Sequence, residues 1–159
     1  MTWRGTTTVS DRIFASLPYL ITLMYGIEFG RSVLEVVPAL GQVLYPLIAP
    51  LAIIYAIPFA SIIIFFALFL LVVRNEKISH FIRFNTMQAL LISIALFLCQ
   101  LVIGILSNLG GSVASIILVL NNAIFLGVLA AFFYSVVQSF RGQYAEIPTI
   151  SEAVYMQVR

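Results

Sequence analysis

Charge is scarce in this chain. Only 9% of its 159 residues are Asp, Glu, Lys or Arg, against about 25% in an ordinary soluble domain. A water-soluble fold of this size still exposes roughly a third of the surface of its unfolded chain, and so few charges cannot clothe it. A soluble fold is excluded on that ground. Cysteine is scarcer still: Cys99 stands alone, which permits no internal disulfide and no cysteine-rich metal site. Deep in an apolar run, it reads as a small packing residue. The single histidine, His80, has no second His, Cys or carboxylate at ligand spacing, so a surface or capping role is expected of it. No nucleophile elbow, phosphate-cradling glycine loop or zinc-helix pattern occurs. The expectation is a protein that is not an enzyme and needs no cofactor or metal.

What the chain has in quantity is apolar length. Apolar residues make up 62% of it and the mean hydropathy is +1.12, the reverse of a disordered composition. The charges divide the sequence into three uncharged blocks of 15, 38 and 57 residues, at positions 13–27, 36–73 and 84–140. A helix needs about 20 mostly apolar residues to cross roughly 30 Å of hydrocarbon. The last block therefore holds two crossings, divided at Asn108-Leu109-Gly110-Gly111-Ser112, where paired glycines beside Asn and Ser are turn chemistry. The middle block is too long for one straight span and contains Pro46, Pro50 and Pro58, so breaks are expected near them. The first block is short for a crossing. It is nevertheless read as a retained span, because Pro18 lies inside it and no small-x-small cleavage pattern ends it.

The expected fold is all-α: one integral membrane domain over residues 1–159, with four transmembrane helices at about 12–28, 56–73, 82–107 and 113–140. Residues 36–55 form a proline-broken re-entrant or interfacial segment, with Tyr45 and Tyr55 as interface anchors, and residues 141–159 an apolar tail. The competing reading makes 36–55 a fifth crossing. Basic residues lean toward four: Arg4 and Arg12, then Arg74, Lys77 and Arg83, then Arg141 fall on one side with four crossings, whereas five put Arg4 and Arg12 on the opposite side. Both termini then face the cytoplasm or stroma.

Every ionisable residue sits near an expected helix end, which argues against an ion-coupled transporter acting alone. Inside the spans the polar residues are neutral. On the third helix Asn85, Gln88, Ser93, Cys99 and Gln100 share one face, and on the fourth Asn121, Ser135 and Gln138 do. Buried amides need partners from another helix or from water, so these are candidates either for interhelical hydrogen bonds or for the lining of a channel. Ala123, Gly127, Ala131 and Ser135 form a stripe of small residues spaced by four, over which another helix packs closely.

Five strings occur in order: SLPYLITLMYGIEFGR from Ser16, FFALFLLVVRN from Phe65, RFNTMQA from Arg83, FLGVLAAFFYSVVQSFRGQY from Phe125 and IPTISEAVYMQV from Ile147. Together they resemble the twenty-kilodalton membrane subunit of the chloroplast inner-envelope protein-import translocon and its cyanobacterial relatives. The resemblance runs from about Asp11 to Val158 and is most specific in RFNTMQA and the ISEAVY tail. It implies a four-helix channel component of a protein-conducting translocon, with both termini on the stromal or cytoplasmic side of the inner envelope or cyanobacterial plasma membrane. It brings no catalytic motif. Arg83, Asn85 and Gln88 are its characteristic positions here, and the implied partners are other translocon membrane subunits, translocating precursor polypeptides, the lipid bilayer and a second copy of the chain, with no nucleic acid. Thr2 to Ser10, with one Arg, is too short for a transit peptide, so a cyanobacterial or plastid-encoded member is expected. In a cyanobacterium the role shifts to export, insertion or assembly. The alternative is a non-conducting scaffold that organises partner membrane proteins, and a passive solute pore is a third reading.

Overall fold

The computed structural model describes residues 6–158, and every regular element among them is helical. The first helix, α1 (Val9–Ser16), starts on a capping box. Asp11 donates its backbone N–H to Thr8 Oγ1 at 3.2 Å, and its carboxylate accepts the Thr8 N–H at 2.9 Å. Pro18 interrupts this rod where its missing N–H costs least, at the start of α2 (Tyr19–Ile27). A 3₁₀ turn at Glu28–Gly30 then leads into α3 (Arg31–Val36). Together α1 to α3 make a 28-residue rod, Val9–Val36, long and apolar enough to cross a membrane.

The middle block breaks once. α4 (Pro38–Tyr55) runs unbroken through Pro46 and Pro50, although both were expected to interrupt it. Each removes one backbone donor, and the apolar face toward α2 still buries Leu44 and Ile48, so packing holds the helix against two missing bonds. The break falls at Pro58, where Phe59 takes φ 63°, the left-handed region. Beyond it, α5 (Ala60–Ala67) continues as a π-helix over Leu68–Val73. The accessory segment of the sequence reading is thus itself an 18-residue helix of spanning length, whereas Ala60–Val73 is shorter. The remaining long helices are α6 (His80–Ser107) and α7 (Ala114–Phe140), joined through Asn108–Gly110 and a 3₁₀ turn at Gly111–Val113. The tail carries α8 (Ile150–Gln157). By length and composition, the four spanning helices are Val9–Val36, Pro38–Tyr55, His80–Ser107 and Gly111–Phe140.

Contacts fix the register. Asp11 meets Ser79, Tyr19 meets Asn85 and Thr22 meets Ala89, so the first rod and α6 run parallel. Arg12 Nη1 donates to the Phe140 carbonyl at 3.4 Å, Gly26 packs on Val128 and Gly30 on Phe125, so α7 runs antiparallel to both. A methyl group at Gly30 would stand 2.5 to 2.7 Å from the Phe125 ring, which is why the close approach requires glycine there. The first rod is the hub: 61% of its most apolar stretch is buried, against 28% for α6 and 17% for α7. Its Tyr19, Leu23, Ile27 and Phe29 join Leu44, Ile48, Ile92, Leu96, Phe125, Val128 and Phe132 in the main core.

The same register brings Arg12, the loop after Val73 and the start of the tail to one end of the bundle. α4 leaves from beside Glu35 at the other end, and its last turn stacks Tyr55 edge-on against Tyr25 at 6.0 Å between ring centroids. α4 and α5 with its π-helical continuation therefore bring the chain back together, in two pieces. Arg4, counted above among the basic residues, lies outside the described residues. The outward faces of α6 and α7 expose Leu98, Leu101, Ile105, Ile116, Val119 and Leu126, as a bilayer-facing surface does.

Candidate functional site

The polar residues of RFNTMQA stand in the second and third turns of α6 at the bundle's basic end, where this helix is enclosed on every side. Arg83, Asn85, Thr86 and Gln88 are all buried. The start of α6 is set by Ser79, whose Oγ accepts the Ile82 N–H at 3.4 Å and donates to Asp11 Oδ1 at 3.1 Å. Three residues apart on one helix face, Asn85 and Gln88 point at α2 and at the returning tail.

Gln88 is fully buried and uses both ends of its amide. Its Nε2 donates to the Ala145 carbonyl at 2.7 Å and to the Tyr19 hydroxyl at 2.9 Å, and its Oε1 accepts from Ser151 Oγ at 2.8 Å. The Tyr19 hydroxyl passes its own proton to Asn85 Oδ1 at 2.8 Å, and Asn85 Nδ2 donates back to the Phe81 carbonyl at 2.8 Å. Ser139 on α7 donates to the same Asn85 oxygen at 3.3 Å. Ser151 Oγ in turn accepts the Ile147 N–H at 2.7 Å, which closes the turn before α8. One connected network thus joins α2, α6, α7 and the tail. Thr22 and Ser93 extend it one turn deeper, both donating to the Ala89 carbonyl, at 3.3 and 2.8 Å.

An apolar cover lies over this network. Val154 and Val158 of the tail pack with Val73, Phe84, Met87 and Leu90, and the Phe84 ring lies 4.9 Å from Tyr155 and 5.0 Å from Tyr144. Arg83 donates from Nε to the Val73 carbonyl at 2.8 Å, tying the end of the π-helix to α6. His80 lies against the Tyr144 hydroxyl at 2.9 Å from Nδ1, beside its helix start rather than in the network. Gly142 takes φ 71° so that the chain turns tightly against Thr7 and Arg12 as the tail leaves α7.

The other candidates make none of these bonds. Ser135 is fully buried with its hydroxyl beside that of Tyr19, and Gln138 is half-buried with no hydrogen-bond partner for its Oε1. Gln100 is exposed on α6. Asn121 lines a crevice of about 280 Å³ with Glu28, Arg31, Ser32 and Glu35 at the opposite end from the network. Ala123 and Gly127 face outward and Ala131 is half-buried; a side chain placed on Gly127 would meet nothing within 4 Å. Cys99 is a free, half-buried residue packed against the main core. No group of three or more His, Cys, Asp or Glu side chains able to hold a metal exists among the described residues.

Sequence reasoning missed Tyr19, Ser139, Ser151 and the Ala145 carbonyl. Ser139 was within reach, since it follows Ser135 by four residues on the same helix face. Tyr19 and the tail carried no periodic signal, because their contacts span 57 to 69 positions of sequence. Chemically the network is neutral and reciprocal. Its serines are bonded to amides, with no base beside them, so the arrangement fastens the tail to the helices and offers no nucleophile.

Comparison with known proteins agrees with this architecture. Residues 9–154 match the family described as "Chloroplast import apparatus Tic20-like". A "Tic20 family protein" of Synechocystis sp. is 45% identical over 159 residues, covering 100% of this chain and 99% of its own length. The "Tic20 family protein Ycf60" of Gracilaria tenuistipitata var. liui is 36% identical, with 95% of this chain and 76% of the relative covered. "Protein TIC 20-v, chloroplastic" of Arabidopsis thaliana is 28% identical, with 94% and 71% covered. A multispanning helical protein whose match runs from its first helix into α8 belongs, therefore, to the Tic20 family of the chloroplast import apparatus.

Proposed function

We propose that this chain is a membrane subunit of a polypeptide-translocating or polypeptide-inserting assembly, in which it supplies one wall of the path and not the whole conduit. The family supports the first half of this reading. The observation that carries the second is the state of the amides: Asn85 and Gln88 are dry and fully bonded within the single chain, while Gln100 and Asn121 reach its periphery. A path lined by neutral polar groups then forms where this chain meets other translocon subunits or a second copy. The membrane would be the plastid inner envelope or the cyanobacterial plasma membrane. Its stromal or cytoplasmic side would hold both termini, a reading supported by Arg12, Arg74, Lys77 and Arg141 at one end of the bundle.

The test is thiol labelling from the aqueous phase in native membranes, with single cysteines at Asn85, Gln88, Gln100 and Asn121 in a Cys99→Ala background and Lys77→Cys as the exposed control. Labelling at 100 and 121 with protection at 85 and 88 is expected. Labelling at 85 and 88 would instead locate the path inside this chain and refute the wall. Protection at all four, with the control labelled, would favour the scaffold. That second reading draws on the outward stripe of Ala123 and Gly127, which offers a partner helix close backbone approach.

A further inference from the structure

The two pieces in which the chain returns through the bundle meet half way along it. Val73 is tied to Arg83 at the basic end, and the elements before it lie along α6, so that Ser61 and Ile62 share a groove with Ser93, Ile94 and Phe97. Those three stand 13 to 17 residues past His80 in a helix of 28, about 20–26 Å from its start at 1.5 Å per residue. On the other side of the break, Tyr55 stacks on Tyr25, which stands 16 residues past Val9 in the 28-residue first rod. Both sides of the break are thus at mid-depth. Ala56, Ile57, Pro58 and Phe59, which form it, are all exposed, Phe59 by 75%.

The backbone leaves the helix here without replacing all its bonds. Ala60 donates to the Ile57 carbonyl at 3.1 Å and Ile63 to that of Phe59 at 3.0 Å. The N–H groups of Phe59, Ser61 and Ile62 and the carbonyls of Tyr55, Ala56 and Pro58 bond to nothing among the described residues. Phe59, at φ 63°, precedes α5 and gives it no side-chain cap. The hydroxyls of Tyr25, Tyr55 and Ser61, which line the adjoining groove of about 320 Å³, are likewise unbonded among the described residues. No charge lies between Glu35 and Arg74, and Ile53, Ile57, Ile62 and Ile63 make the exposed surroundings apolar.

Irregular backbone is tolerated at hydrocarbon depth only where protein covers it or where it lines a cavity. Three occupants differ in what they offer such groups. In the middle of about 30 Å of hydrocarbon a phospholipid presents only its acyl chains. A partner helix has used its own N–H and carbonyl groups internally and brings at most a side chain. An extended polypeptide has a donor and an acceptor free at every residue except proline, and so matches both kinds of unbonded group at the break. Gln100 continues the same surface, since it follows Ser93 by seven residues on nearly the same face of α6 and is exposed.

We infer that the break at Ala56–Phe59 is where this chain contacts a polypeptide in transit. An extended segment passes the break at mid-depth and exchanges backbone hydrogen bonds with the N–H groups of Phe59, Ser61 and Ile62 and the carbonyls of Tyr55, Ala56 and Pro58. Ile57 and Phe59 close against its side chains. Contacts made to the backbone do not select a sequence, and the neutral surroundings do not select a charge. This contact presupposes the wall proposed above and adds which face of that wall meets the substrate.

Photo-cross-linking of the full chain in cells tests it, with p-benzoylphenylalanine in place of Phe59, one exposed aromatic for another, and in place of Val119 on the outward face of α7 as control. Mass spectrometry of the products at 59 should give many unrelated polypeptides without a shared motif. They should be lost once puromycin has emptied the membrane of chains in transit, and they should be absent at 119. One recurring segment of a membrane protein at 59, undiminished by puromycin, would mean that a partner helix or a second copy covers the break and would overturn the inference. Products with lipid alone would overturn it equally. Thiol labelling in native membranes separates this contact from the wall itself. In the Cys99→Ala background, Ile57→Cys and Ser61→Cys should label from the aqueous phase as Gln100→Cys does. Labelling at 100 with protection at 57 and 61 would overturn the contact and leave the wall standing, whereas protection at 100 as well, with Lys77→Cys labelled, would refute both.

Discussion

Replacing Gln88 with Leu removes an amide that fastens the tail while keeping an apolar side chain of similar length in its place. Three hydrogen bonds disappear, two of them to the tail, at the Ala145 carbonyl and at Ser151 Oγ. Hydrogen bonds between helices in bilayers average about 0.6 kcal/mol, while a buried group left unpaired costs about 1–3 kcal/mol. Ser151 keeps its bond from the Ile147 N–H and Tyr19 keeps its bond to Asn85, so the Ala145 carbonyl is the main orphan. The tail should therefore open more easily by about 2–3 kcal/mol, a rise of roughly 30- to 140-fold in the open population. Hydrogen exchange of the tail peptides in nanodiscs reads this directly, since the Val158 N–H is held by the Val154 carbonyl only while α8 is docked and formed. Tyr19→Phe serves as the comparison: it breaks the link to α2 and leaves both tail bonds intact, so tail protection should fall by less than about fivefold. If Gln88→Leu leaves tail exchange within about twofold of the unsubstituted chain, the apolar cover alone holds the tail and the network has no fastening role.

Two further substitutions follow from the packing. Gly26→Leu forces a side chain into Val128 and should destabilise the bundle by about 1–3 kcal/mol in detergent unfolding, whereas Gly127→Leu, with open space around it, should leave unfolding unchanged and register only in the assembly state by cross-linking. Arg83→Met removes the guanidinium bond to the Val73 carbonyl and should cost about 1.5–3 kcal/mol, visible as faster exchange of the 68–79 segment; unchanged exchange there would show that the tie is idle.

The number of spanning helices was legible because charge spacing and length are local properties, and the second and third uncharged blocks end where helices end, at Val73 and Phe140, although the first rod runs on through Glu28, Arg31 and Glu35 to Val36. The glycine turn after Ser107 was legible for the same reason, with Gly110 at φ 86°. The division of the middle block was not. Three prolines looked equivalent in sequence, yet only Pro58 coincides with a break, because α4 buries Leu44 and Ile48 on either side of Pro46 while Ile57 and Phe59 beside Pro58 are exposed and bury nothing. At the site, helical spacing picked out Asn85 and Gln88 as neighbours on one face. It had no means of naming Tyr19 or Ser151, which reach those amides only through the tertiary fold.

The network that joins Tyr19, Asn85, Gln88 and Ser151 also orders the life of the nascent chain. Its members emerge far apart in time, Ser151 63 residues after Gln88. Until Ala145 and Ser151 arrive, the Gln88 amide sits in the newly inserted bundle without two of its partners. A half-made chain is therefore marked as incomplete by its own chemistry. Truncation before residue 145 would leave that mark in place for quality-control proteases and insertases to recognise, however well the four long helices had inserted.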